Sequence, residues 1–114
     1  MDLDIKENGS ICTLKPKGRL FCGESLDQFE NAYTNALASG HVFLIFDLES
    51  VPYLDSSAIG SLVNALRKTS KVGGSVKLVK PANFVSKTLK MVGLLDLFEV
   101  FDNEADAAAA CVGS

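Results

Sequence analysis

Val42-Phe43-Leu44-Ile45-Phe46-Asp47-Leu48-Glu49-Ser50-Val51-Pro52-Tyr53-Leu54-Asp55-Ser56-Ser57-Ala58-Ile59-Gly60-Ser61-Leu62 is the stretch whose reading decides the fold. Its first five residues are all apolar, as expected of a central strand covered on both faces. A connection through Glu49 to Asp55 leaves that strand, and an amphipathic helix opens at two adjacent serines. Ala58, Ile59, Leu62, Val63 and Leu66 then recur along one helical stripe. The serines put a hydroxyl where a helix begins, a position suited to carrying phosphate.

Toward the C-terminus, Arg67, Lys68 and Lys71 complement the negative end of this helix, and Gly73-Gly74 stops it. Ser75 to Lys80 reads as a strand closed by Pro81. Asn83 is expected to cap a helix carrying Phe84, Val85, Leu89 and Val92, ended by Gly93. Leu97 to Phe101 reads as a short strand, after which Asp102 or Asn103 caps an alanine-rich helix from Glu104 to about Cys111.

Toward the N-terminus, Leu3-Asp4-Ile5 and Ser10 to Leu14 read as a β-hairpin, with Asn8-Gly9 at the centre of a type I′ turn. Pro16 cannot donate to a ladder, so the second strand is expected to end there or to meet a bulge. Gly18 to Gly23 is a loop. Ser25-Leu26-Asp27-Gln28 fits a capping box, followed by Leu26, Phe29, Ala32, Tyr33, Ala36 and Leu37 along one helix face and by Gly40 as a stop. The element order is ββαβαβαβα. It predicts an α/β fold with a mixed sheet of about five strands, an N-terminal antiparallel hairpin with the rest parallel, packed with about four helices as one domain over residues 1–114.

The bulk properties agree with one globular unit. The 114 residues are 47% hydrophobic and 22% charged, and a net charge of -3 leaves no electrostatic footprint for nucleic acid or an anionic membrane. The first residues lack the apolar stretch of a signal peptide, and Val42 to Phe46 is far too short to cross a bilayer. A soluble, cytoplasmic protein without membrane insertion is the expectation. Cys12, Cys22 and Cys111 are an odd set without metal spacing and read as small hydrophobes in a reducing compartment. His41, the only histidine, precedes the apolar strand and reads as a loop residue.

In open α/β sheets, functional residues gather beyond the carboxyl ends of the parallel strands, where the Glu49–Asp55 connection lies. A serine there is either a helix cap, worth ~1 kcal/mol, or a site of chemistry, and the residues alone leave both open. Nucleophilic catalysis fits poorly, since the one histidine lies at the far end of the strand and no G-x-S-x-G elbow is present. Gly73-Gly74-Ser75 runs from helix to strand, the reverse of a P-loop. Asp47, Glu49 and Asp55 lack the remainder of a coordination set and read as acids solvating a loop. The expectation is a non-enzyme with no metal or cofactor. A phosphate on Ser56 would add about -1.5 to -2 charges beside Asp55 and repel a partner docked there.

Apolar-Asp55-Ser56-Ser57-Ala58-Ile59-Gly60 after a strand ending Asp47-Leu48 resembles the signature of STAS-domain anti-sigma factor antagonists. Gly73-Gly74 and Val92-Gly93-Leu94-Leu95-Asp96-Leu97-Phe98 resemble further landmarks of that family. The resemblance implies partner switching. A serine-kinase anti-sigma factor, using its own bound ATP, would phosphorylate Ser56; a metal-dependent serine phosphatase would reverse it; and the unphosphorylated chain would bind the kinase. It implies a docking surface of Asp55, Ser56, Ser57, Ala58, Ile59 and Gly60 with Phe21 and Tyr53, in which Ser57 supports the cap and Gly60 permits close helix packing. Transcription would be regulated indirectly, without nucleic acid contact. Two positions depart from the family pattern: Phe21 stands where aspartate is usual, and Ala58 where glycine is common. The apolar Phe21 also suits the alternative, a non-switched STAS interaction subunit of a membrane transporter ATPase complex.

Overall fold

A computed structural model describes residues 2–112. The chain runs β1 (Asp2–Asn8), β2 (Ile11–Lys17), α1 (Glu24–Ala38), β3 (Phe43–Asp47), α2 (Ser56–Lys71), β4 (Ser75–Val79), α3 (Asn83–Met91), a 3-10 turn (Leu95–Leu97), β5 (Glu99–Phe101) and α4 (Glu104–Val112). The strands lie in sequence order in one five-stranded sheet. Only β1 and β2 pair antiparallel; β3, β4 and β5 each add in parallel. The expected mixed sheet is therefore the observed one, with β3 at its centre.

Alternation along β3 divides the core. Leu44 and Phe46 face a large cluster with Leu26, Phe29 and Tyr33 of α1, Leu62 of α2, and Val85 and Leu89 of α3. Ile45 points the other way, into a smaller cluster with Ile11, Val79, Ala107 and Cys111. The continuous apolar run is thus explained by helices on both faces, with α4, among the described residues, covering the second. On the first face Phe29 packs edge-on against Phe46, ring centroids 4.8 Å apart. Ser61 and Thr69 of α2 are buried there too, although neither lies on the apolar stripe. Tyr33 Oη lies 3.0 Å from Ser61 Oγ, which donates to Glu30 Oε2 at 3.1 Å. Gly74 is needed for close approach, since a Cβ there would overlap the Val42 carbonyl.

Local details differ from expectation for identifiable reasons. The hairpin turn centres on Gly9-Ser10, because Asn8 pairs with Ile11; Gly9 has φ +60° and Ser10 has not entered the left-handed region, which is the type II′ pattern. β2 continues through Pro16 to Lys17, since pairing with β3 stops at Leu14 and nothing on that side requires the missing N–H. Ser25 lies inside α1, whose N-cap is Gly23; its hydroxyl instead donates to the Phe21 carbonyl at 3.2 Å. Asn83 is likewise the first residue of α3 and caps nothing, whereas Asn103 Oδ1 accepts from Asp106 N at 2.8 Å and fastens the start of α4. On α3 only Val85 and Leu89 are buried, leaving Phe84 and Val92 exposed. The last strand is shorter than expected, Leu97 belonging to the 3-10 turn.

Candidate functional site

Two loops leave the carboxyl ends of β2 and β3 and run side by side. Leu20 N donates to Tyr53 O at 3.0 Å and Asp55 N to Leu20 O at 3.2 Å, forming a short parallel bridge between Leu20 and Leu54. Gly18 N adds a bond to Ser50 O at 2.9 Å. Both leucines are buried, so their side chains pin the paired loops to the core. The backbone emerging from this zipper is held before α2 begins.

Asp55, rather than a serine, caps α2. Its Oδ1 accepts from Ala58 N at 2.9 Å, while its Oδ2 accepts from Cys22 N at 2.9 Å. One carboxylate thus satisfies a free donor of the helix and ties the β2 loop to the β3 loop. The bond from Cys22 and then that from Ala58 hold its carboxyl below the ordinary 3.8. The expected serine cap is thus corrected to Asp55, since aspartate caps as well as serine and its second donor, Cys22 N, is brought beside it only in the folded chain.

Ser56 is therefore the first residue inside α2. It is exposed, and its hydroxyl makes no hydrogen bond among the described residues. Ser57 is exposed as well, and does not share the cap through its side chain. Ala58 is buried in the main core and cannot touch a docked partner. Ile59 is half-buried against the same core. Gly60 is exposed one turn after Ser56, and a Cβ there would meet nothing within 4 Å. It does not serve close helix packing as expected; it leaves the flank of Ser56 bare.

Exposed aromatic side chains lie on the loops joined to this turn and on the helix that packs against them. Phe21, on the neighbouring loop, is 48% exposed. Tyr53 is 40% exposed and packs at 5.5 Å, tilted by 31°, against Phe84, itself 50% exposed. Phe84 belongs to the apolar residues expected on this helix, but it is exposed, and its pairing with Tyr53 makes it part of the surface. The described surface here combines apolar plates with a free hydroxyl and a fixed carboxylate.

The remaining candidates lie elsewhere. His41 sits at the opposite end of β3, with Nδ1 2.8 Å from Gly9 O and Nε2 3.0 Å from Glu7 Oε2. Asp47 does not solvate a loop: it is 4% exposed, beneath α4, with Lys15 Nζ 3.9 Å away. Burial first, then its hydrogen bond with Glu104, push its carboxyl up, while that same bond draws Glu104 down. Cys12 and Cys111 are buried on opposite faces of the sheet, and Cys22 is exposed. Burial, with Glu7 adding to it, pushes the Cys12 thiol up to about 11, far from a reactive thiolate. Among the described residues no group of three or more His, Cys, Asp or Glu side chains could hold a metal ion, and no helix is long and apolar enough to cross a membrane.

Comparison with known proteins identifies the family through its domain model and finds the same fold in solved structures. The STAS domain model matches residues 2–107. A Thermotoga neapolitana protein named as a homolog of anti-sigma factor antagonist TM1081 is 31% identical over 71 residues, which is 62% of this chain and 63% of that relative. The crystal structure of a Thermotoga maritima protein described as an anti-sigma factor antagonist (TM1081) superposes with TM-score 0.88 at 24% identity, covering 96% of this chain and 94% of that one. SpoIIAA, an anti-sigma factor antagonist, superposes in its unphosphorylated form with TM-score 0.85 at 20% identity, covering 99% and 98% of the two chains. The Bacillus protein in its phosphorylated form gives TM-score 0.77 at 19% identity, covering 96% and 98%.

Proposed function

The chain belongs to the STAS domain family, whose members are regulatory rather than catalytic, and on that premise we propose that it is an anti-sigma factor antagonist switched by phosphorylation of Ser56. The observation that carries this reading is the exposed Ser56 hydroxyl, without a hydrogen-bond partner among the described residues, on a turn already fixed by Asp55. A residue that is not needed as a cap is free to be a substrate. The phosphorylated form of the SpoIIAA fold relative supports the chemistry.

The unmodified surface offers Phe21, Tyr53, Phe84 and Ser56 to a serine-kinase anti-sigma factor, which brings its own ATP. Docking desolvates the aromatic plates and the hydroxyl at small polar cost. Phosphate adds about -1.5 to -2 charges at the same spot, next to the Asp55 carboxylate. The N-terminus of α2 tolerates the phosphate in the free protein, but a partner seated over it must strip its water and meet two adjacent anions. Release follows without refolding, and a metal-dependent serine phosphatase restores binding.

The test is incubation with the serine-kinase anti-sigma factor of the same cell and ATP, followed by mass analysis. One phosphate on wild type and none on Ser56→Ala is the expected result. Phosphate found on Ser57, or persisting in Ser56→Ala, overturns the assignment. The exposed Phe21, apolar where the family usually carries aspartate, favours a second reading as a non-switched subunit of a transporter ATPase complex. Co-purification with such an ATPase, unaffected by Ser56→Asp, would establish that reading instead.

A further inference from the structure

The two edges of the sheet are unequal. β5 is three residues long, whereas β1 spans Asp2–Asn8 and is exposed along almost its whole length. The phase of its free hydrogen-bonding groups is fixed by its neighbours. Asn8 pairs with Ile11 across the tight turn, and Phe43 N bonds to Ser10 O at 3.1 Å on the β3 side of β2. Even-numbered residues of β1 therefore exchange their backbone bonds with β2, and the N–H and C=O groups of Leu3, Ile5 and Glu7 point outward. No further backbone bond reaches those three among the described residues.

We propose that β1 pairs with β1 of a second copy, antiparallel about a two-fold axis through Ile5, joining the two sheets into one. This register brings Ile5 opposite Ile5 and Leu3 opposite Glu7, so that every outward backbone group in the segment meets a partner. Ile5, 50% exposed in the isolated chain, is covered at the axis by its own copy. It also sets Asp4 directly opposite Lys6 of the second copy, twice by symmetry. Each of these residues already has a partner of opposite sign within its own chain: Lys17 Nζ lies 3.1 Å from Asp4, and Lys6 Nζ 3.2 Å from Glu104. The junction therefore extends an alternating row, Lys17, Asp4, then Lys6 and Glu104 of the second copy. A one-residue slip would leave the outward backbone groups unmatched and set like faces wrongly. The opposing interpretation is that the charges on β1 guard the edge against pairing.

Sedimentation equilibrium of the full chain over a rising concentration series distinguishes them. Wild type and Ser56→Ala are both expected to approach twice the chain mass, since the edge is independent of the phosphorylation site. Asp4→Lys puts like charges opposite each other at both symmetric positions and should weaken the dimer roughly tenfold or more. The double variant Asp4→Lys with Lys6→Asp should restore it. Ile5→Pro removes one outward N–H without touching the β1–β2 ladder and should abolish it, with circular dichroism confirming the fold. A wild type that stays monomeric throughout overturns the proposal. So does a dimer that survives Asp4→Lys or Ile5→Pro, or one that the double variant fails to restore.

Discussion

Ser56→Ala separates a structural serine from a regulatory one, and the two roles predict different stabilities. A serine acting as the cap of α2 costs ~1 kcal/mol when replaced by alanine. In the structure Asp55 holds that position through Ala58 N at 2.9 Å, and the Ser56 hydroxyl has no partner to lose among the described residues. An exposed substitution of this kind is expected to change stability by no more than ~0.5 kcal/mol. Urea unfolding reads the difference. With a slope of ~2 kcal/mol per M, loss of a cap lowers the midpoint by roughly 0.5 M, whereas the present geometry confines the shift to about half of that or less. The slope should stay unchanged, as no core contact is altered. A midpoint lowered by ~0.5 M or more would show that Ser56, not Asp55, terminates the helix, and the argument for a free substrate hydroxyl would fail.

Asp55→Ala should have the opposite profile, lowering stability and speeding hydrogen exchange at both Cys22 and Ala58 while leaving the sheet amides protected; unchanged exchange at Cys22 would contradict the loop tie. Because the Asp55 carboxyl lies below 3.8 in the fold, its contribution is complete above that value and is lost as pH falls through the lowered one. Asp47 works in reverse: its raised carboxyl stabilises the fold at low pH and loses that contribution as pH climbs through the raised value. Asp47→Asn keeps a donor for Glu104 at every pH, so the variant should match or exceed wild type in thermal midpoint at neutral pH, with the difference shrinking in acid. A lower midpoint at neutral pH would contradict the raised Asp47 carboxyl.

The architecture was legible where one physical cause dominates. Val42 to Phe46 can be apolar throughout only if both faces are covered, and α1 shows its buried stripe because Leu26, Phe29, Tyr33 and Ala36 fall at helical spacing. What escaped the sequence depends on contacts between distant segments. Pro16 within β2 is permitted because β3 no longer pairs beside it. Phe84 is exposed, unlike Val85 and Leu89, and meets Tyr53 at the surface, a contact that helical spacing does not show. Ser61 and Thr69 are buried because hydroxyls can be satisfied locally or by α1, Thr69 Oγ1 donating to Leu66 O at 2.9 Å. The Asp47–Glu104 contact joins residues far apart in sequence, so charge spacing could not reveal it.

The zipper between the two loops also bears on what a modifying enzyme can recognise. Phe21, Tyr53, Ser56 and Phe84 come from three separate crossovers; the loops of Phe21 and Ser56 are joined by the Leu20–Leu54 bridge and the Asp55–Cys22 bond, and Phe84 joins through its ring contact with Tyr53. Their epitope is conformational. A synthetic peptide copying residues 50–60 would carry the acceptor oxygen but not the aromatic frame, and would be a poor mimic of the domain for any kinase that reads shape rather than linear sequence.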